Sequence, residues 1–324
     1  MTPRRLPQAD TLRLSTTGPF DFRHTLWKPS HFATALEAHT PNESWRTFRL
    51  DELVCGVHLR PDGPSGLAAD IYTDGEWKPH HRQPLTQRLT NSYGLNENLA
   101  EFTDLAKKIP AMTQPLAAFD GMRQSCPEDL FEIAVIALLL QNATVARTAQ
   151  MMRNLLTHYG HVVHFAGLTL RAFFTPTEII GIPAETFRER DRLGYRDKYL
   201  PRFAAFFAED GTQELAGAND LATRFQEIKG VGPYTAAVIA SHASRDHSAL
   251  GLDVWNCKIL ARRLLNIDDA PAEDVQARIT ELFPGYQGLA ALYLIEHEYL
   301  TAPVVPLLHP DGLAAWNDAF EKPV

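Results

Sequence analysis

The residues with the most chemical potential lie between 225 and 265. Asp253 stands at the start of a helical stretch, Val254 to Leu265, where an aspartate serves equally as a helix cap. An ionised carboxylate can also stabilise a developing cation, or orient and deprotonate a water. Upstream, Leu221, Phe225 and Ile228 form an apolar stripe at the helix period, broken by Gly230-Val231-Gly232. Glycine takes positive φ without strain, so a tight turn is expected there. Pro233 suits the first turn of a new helix, where a missing N–H costs little. The free N–H groups at that helix start lie at the positive end of its dipole and suit a phosphate. A plain helix–turn–helix with no ligand fits the same residues. His80 and His81 lack partners at metal-ligand spacing and read as a solvated strand end.

The elements that must position these groups fall into two regions. Residues 10 to about 90 read as β-rich. Strands are expected at TLRLST, from Arg49 to Arg60, and at AADIYT and EWKPHHR around an Asp74-Gly75 hairpin. A helix is expected over Lys28 to His39. From about residue 95 the pattern is helical to the end. Ser125 and Glu128 suggest a capping box before Leu130 to Leu140, a stretch apolar all round and therefore a buried central helix. Further helices are expected at Val145–His158, Pro176–Ile180, Ala184–Asp191, Lys198–Ala208, Leu215–Lys229, Ala272–Leu282 and Gln287–Tyr299. A sheet segregated before a run of helices is the α+β pattern, divided here into 1–112 and 113–324.

The 324 residues are 45% hydrophobic, enough for a sizeable core. A net charge of −8 argues against a broadly basic nucleic-acid coat but is compatible with a local basic groove. Cys55, Cys126 and Cys257 show no paired spacing, as expected of a reduced, cytoplasmic chain. The N-terminus lacks the apolar run of a signal peptide, and no stretch is apolar enough to span a membrane.

The run Ile228-Lys229-Gly230-Val231-Gly232-Pro233-Tyr234-Thr235-Ala236, with Asp253 placed 19 residues after Tyr234, resembles the helix-hairpin-helix DNA glycosylase superfamily. GPFDFRHTLW near the start, LGYRDKYLPRF (Leu193 to Phe203) and Asp253-Val254-Trp255 are similar to the branch holding 8-oxoguanine glycosylases and bacterial 3-methyladenine glycosylases. The resemblance implies a sheet domain packed on two helical domains with the active cleft between them. It implies double-stranded DNA with a damaged base as partner, base flipping, and Asp253 at the scissile sugar. A monomer acting on nucleoid or nuclear DNA is expected.

Residue by residue, the resemblance places Gly230, Val231, Gly232, Tyr234 and Thr235 on the DNA backbone. Bifunctional members carry at the Tyr234 position a lysine that forms a Schiff base; a phenol cannot. A monofunctional glycosylase that leaves the abasic strand uncut is therefore implied. Lys229 and Lys258 read as phosphate-facing or solvated. Tyr234 and Tyr286 are implied as walls of the base pocket, with a packed tyrosine the plainer reading of each. Gln141 and Asn142 match the wedge loop, where a side chain fills the hole left by the flipped base, and a helix cap is the alternative for Asn142. Arg147 aligns with an arginine that contacts the opposite base, and otherwise reads as a solvated helix face. The backbone carbonyls of Gln226, Ile228 and Val231 match those that hold a monovalent cation. Pro233 departs from the pattern and removes one N–H from the phosphate site. Two basic clusters, Phe187 to Arg202 and Lys258-Arg262-Arg263, suit phosphates or solvent. Only Cys257 follows Asp253, so the four-cysteine iron–sulfur cluster of endonuclease III-type members is excluded by counting. The expected substrate is an alkylated purine. The alternatives are an oxidised purine handled without the lyase lysine, or a damage-binding protein without catalysis.

Overall fold

The computed structural model describes residues 3–30, 34–50, 53–63, 65–126, 129–210 and 221–301. The fold is α+β, an N-terminal antiparallel sheet followed by helices. β2 (Gln8–Ser15), β3 (Glu37–Thr40), β4 (Glu43–Leu50), β5 (Leu53–Pro61) and β6 (Gly66–Thr73) form one antiparallel sheet in the order β2-β6-β5-β4-β3. The register sets Val57 beside Ile71, and Leu12 beside Ala69, so their apolar faces align. The helix α2 (Pro79–Tyr93) covers one face through Leu85, Leu89 and Tyr93.

The other face carries a second small sheet. β1 (Arg4–Arg5) pairs in parallel with β7 (His161–Phe165), which forms a hairpin with β8 (Leu168–Ala172). Phe165 of this hairpin lies directly on Gly56, where a Cβ would meet its ring at 2.4 Å. Glycine in β5 is thus explained by close approach rather than by a turn.

Three expectations for this region are corrected. Lys28 to His39 is not one helix, since β3 begins at Glu37 and pairs with β4; residues 31–33 lie outside the described residues. Asp74-Gly75 is no hairpin: β6 ends at Thr73 and Pro79 opens α2 instead of a strand, as the residue's fixed φ favours. His80 and His81 therefore sit in the first turn of α2, where the Lys78 N–H donates to His81 Nδ1 at 3.0 Å. The region after residue 95 is also not wholly helical. β7 and β8 turn through Ala166 and Gly167, both at positive φ, and Leu6, Trp45 and Val54 cover their apolar residues. Their pairing is a tertiary contact that periodicity does not reveal.

The helices form two packed groups. α5 (Leu130–Leu140) is the buried centre of one, with α6 (Val145–Tyr159), α9 (Leu200–Asp210), α10 (Leu221–Gln226) and α11 (Pro233–Ser244) around it. Its cap is Asp129, which accepts from the Phe131 N–H at 2.8 Å, not the expected Ser125 box; Glu128 lies outside the described residues. α12 (Val254–Leu264), α13 (Ala272–Leu282) and α14 (Gln287–Leu300) make the second group, joined by α3 (Ala100–Ala106) and α4 (Thr113–Ala118). Phe102, Met112 and Phe119 pack with Phe283, Tyr293 and Leu294, so the division expected at residue 112 falls inside this cluster.

Arg245 pins the end of α11 to the rest. It donates to Glu97 at 2.7 Å and to the carbonyls of Asn91 and Gln124 at 2.6 and 2.8 Å. Burial pushes the Glu97 carboxyl up, but hydrogen bonds from His247 and Arg245 outweigh it and hold its pKa at about 2. A depressed carboxyl contributes stability above its unfolded pKa, roughly 4.3, and loses it as pH falls through the folded value. Glu97→Gln is expected to lower stability at neutral pH and to flatten its decline between about pH 4 and pH 2, as read by urea melts across pH.

Candidate active site

One cavity of about 420 Å³ opens between the two helical groups and the loop after the short helix α1 (Phe22–Leu26). α11 runs along its wall, with Tyr234, Val238, Ser241 and His242 on the lining face. This is the i, i+4, i+7, i+8 spacing of one helix side. Ile133, Ile136 and Ala137 of α5 line it from one side, Ala291, Leu292 and Ile295 of α14 from the other.

Asp253 is not on the cavity lining itself but stands at its edge. Its neighbours Gly251 and Asn256 line the cavity, and the carboxylate itself is exposed. Oδ1 accepts the Asn256 N–H at 2.7 Å, the N-cap bond of α12. Oδ2 has no hydrogen bond among the described residues and is open to a ligand or water. The cap thus fixes the carboxylate without consuming it. Burial raises the Tyr234 phenol above its ordinary pKa, and the Asp253 charge raises it further. Tyr299, on the cavity wall, is raised by burial with Asp253 contributing. Asp253 is therefore within electrostatic reach of two lining aromatics. Tyr234 keeps 47% of its surface exposed, and Val254 and Trp255 beside Asp253 keep 76% and 53%. This is an unusual density of exposed apolar surface at one cavity mouth.

The hairpin between α10 and α11 has the expected form with one correction. Gly230 has φ of +106°, but Gly232 has φ of −84°, which any residue adopts. A Cβ on Gly230 would meet the Tyr199 ring at 2.4 Å, while one on Gly232 meets nothing within 4 Å. Gly230→Ala is expected to lose about 1–3 kcal/mol of stability in urea melts and Gly232→Ala close to none. Val231 and Thr235 turn their side chains inward, so only their backbone can face a strand. The Thr235 hydroxyl accepts from Gln141.

Gln141 links the hairpin to the loop between α5 and α6. Its Nε2 donates to Gly230 O and Thr235 Oγ1, both at 3.1 Å. Its own carbonyl accepts from the Tyr195 hydroxyl at 3.2 Å and from Arg196. Gln141 is thus internal rather than free for a ligand. Asn142 follows in the left-handed region, φ of 47°, and is exposed, with Nδ2 3.3 Å from Tyr195 Oη. Thr144, not Asn142, caps α6. The LGYRDKY segment therefore supports both loops: Tyr199 under Gly230, Tyr195 and Arg196 under Gln141.

Other expected positions are placed differently. Tyr286 is not a cavity wall; its hydroxyl donates to Glu101 at 3.0 Å and its ring packs by Phe102. Arg147 turns along its own helix to Gln150 at 2.9 Å and to the Arg192 carbonyl. Arg188 is bonded to the fully buried Asp197 at 2.7 Å, Arg190 to the fully buried Asp191 at 3.2 Å, and Arg262 to Glu298 at 3.2 Å. These three expected phosphate cations are thus paired within the protein while their side chains stay exposed. Ile228 O accepts from Val231 N at 3.0 Å within the turn, and Gln226 and its side chain remain on the outer face.

Sequence reasoning missed the polar residues of the cavity. Arg46 bridges Glu37 at 2.5 Å and Glu132 at 2.7 Å, all three buried. Glu296 accepts from Ser30 N and Oγ at 2.8 and 2.5 Å. Lys28 and His242 also line the cavity. Glu132 in an otherwise apolar helix was the available signal, since a charge is buried only with a partner.

No family model matches the chain. It is 22% identical over 223 residues to the DNA-3-methyladenine glycosylase of Bacillus subtilis (strain 168), covering 68% of this chain and 73% of that protein. It is 23% identical over 263 residues to a probable N-glycosylase/DNA lyase of Methanothermobacter thermautotrophicus, covering 72% and 80%. The solved 3-methyladenine DNA-glycosylase of Archaeoglobus fulgidus superposes with a TM-score of 0.77 at 17% identity, over 90% of this chain and all of that one. The solved 8-oxoguanine glycosylase/lyase of Clostridium acetobutylicum superposes with a TM-score of 0.67 at 17% identity, over 91% of this chain and 99% of that one, and these relatives and neighbours are consistent with the helix-hairpin-helix glycosylase superfamily.

Proposed function

We propose that the protein is a DNA glycosylase of base excision repair that hydrolyses the N-glycosidic bond of a flipped, damaged purine. The observation that carries the reading is Asp253, fixed by its N-cap bond at the mouth of a cavity with one carboxylate oxygen free. The base rotates out of the duplex into the cavity and leaves with the bonding electron pair. The sugar becomes cationic, Asp253 stabilises it, and a water adds while its proton passes to the carboxylate. A purine alkylated at N3 or N7 is already cationic and leaves neutral without an acid, so that alkylated class fits a site with one catalytic carboxylate.

The DNA backbone is held by the N–H groups at the start of α11, and Asn142 fills the space of the departed base. A monovalent cation on the carbonyls of Gln226, Ile228 and Val231 would serve the same phosphate. A cationic base stacks on Tyr234. Tyr234 at the lysine position favours hydrolysis without strand cleavage, although the Methanothermobacter relative is named as a lyase as well. No helix among the described residues is long and apolar enough to cross a membrane.

Duplexes carrying one lesion each, incubated with the protein and then treated with alkali, test the reading. Breaks should appear only after alkali, and borohydride should trap no covalent adduct. Trapping would overturn the hydrolytic mechanism, and absence of breaks on every lesion would overturn the enzyme.

A further inference from the structure

The cavity reading leaves His242 without a task. It lies on α11 two turns beyond Tyr234, roughly 12 Å deeper along the helix axis. Nδ1 is 2.8 Å from the Val238 carbonyl. A carbonyl only accepts, so Nδ1 carries the proton and Nε2 presents a lone pair. Nε2 has no hydrogen bond among the described residues, and the ring lines the cavity. Burial, with the Lys28 ammonium second, holds the imidazole pKa at about 4, so the ring stays neutral at physiological pH.

Lys28 lines the same cavity and acts on His242 through its charge. No ion pair engages its ammonium among the described residues. The other charged groups of the wall are committed: Glu37 and Glu132 to Arg46, Glu296 to Ser30. Of the charged and imidazole groups on the wall, the Lys28 ammonium as donor and His242 Nε2 as acceptor are left for a ligand.

We infer that His242 and Lys28 read the edge of the extruded base, His242 Nε2 accepting an N–H and the Lys28 ammonium donating to the adjacent carbonyl oxygen or ring nitrogen. The inference rests on the glycosylase reading and deepens it. The substrate class is a purine with an N–H donor next to an acceptor on that edge, as in hypoxanthine, methylated guanines and methylated adenines. Ethenoadenine, whose edge is bridged and carries no N–H, makes no bond to His242 and is the slower substrate. A site built to bond a donor discriminates against an analogue lacking it, which stacking on Tyr234 alone does not achieve. Lys28 lies with His242 in the cavity, while the sugar belongs at the mouth with Asp253, so its amine serves the base and not the sugar.

Single-turnover excision of hypoxanthine, 7-methylguanine and ethenoadenine by wild type, His242→Phe and His242→Gln tests this. The phenyl ring keeps the volume and removes the acceptor; the amide oxygen of glutamine restores one. His242→Phe should lose about 10- to 100-fold on the two donor-bearing bases and nothing on ethenoadenine, with His242→Gln intermediate. Equal losses on all three would overturn the proposal. A second measurement separates it from the glycosylase reading: the imidazole nitrogen shifts of wild type with free hypoxanthine added. A shift of Nε2 and not Nδ1 supports edge reading even if no lesion is excised, and unchanged shifts with active excision refute it. Wild-type release of ethenoadenine as fast as hypoxanthine would also refute it.

Discussion

Asp253→Asn is expected to slow single-turnover base release by about 100- to 1000-fold, the loss typical of removing one group aimed at developing charge. The substitution is informative because the residue has two tasks. Its Oδ1 caps α12 through Asn256, and asparagine caps as well as aspartate does. The variant should therefore melt where wild type melts and bind abasic duplex equally well. Asp253→Ala removes charge and cap together, and should cost about 1 kcal/mol of stability besides. The pair separates chemistry from architecture: a slow, stable asparagine variant isolates the charge. A fully active asparagine variant would leave Asp253 as a cap only.

The second large effect is on stability. Arg46→Met should destabilise the fold by about 3–5 kcal/mol in urea unfolding, because it removes the guanidinium that bridges two buried carboxylates. Glu37 and Glu132 come from β3 and α5, so the arginine on β4 joins the sheet to the central helix. The same residues line the cavity, so the effect should appear also as a loss of excision at temperatures where wild type is folded. Replacing all three with Arg46→Met, Glu37→Gln and Glu132→Leu should recover most of the stability, since a buried ionic triad is seldom better than packed neutral residues. If the triple variant is no more stable than Arg46→Met, the carboxylates are not the origin of the loss.

The hairpin, Asp253 and the apolar central helix were readable because each rests on local rules. Gly230 breaks a stripe, Asp253 precedes one, and Leu130 to Leu140 is apolar without a polar side. What escaped was set by distant partners. β7 and β8 exist because β1 and the main sheet cover them, 100 residues or more away in sequence. Arg188 and Arg190 are on the surface, as their charge suggests, yet two aspartates buried beneath them hold their guanidinium groups. Tyr286 lies just before α14, off the cavity lining, because Glu101 holds its hydroxyl and Phe102 its ring. Of the cavity's polar lining only Glu132 left a signal, since Lys28, Arg46, Glu132 and His242 are scattered along the chain and come to one cavity only on folding.

The bond from Gln141 to the hairpin fixes the span between two features on the protein's outer face: the turn at Gly230 and the protruding Asn142. Both rest on the same LGYRDKY platform, so neither can slide independently. On the proposed reading this makes a rigid caliper. A duplex that reaches both jaws must itself bend and open to the preset gauge, so helices softened by a lesion or a mismatched step would seat most cheaply. Discrimination would then begin in the mechanics of the nucleic acid, ahead of any inspection of the base.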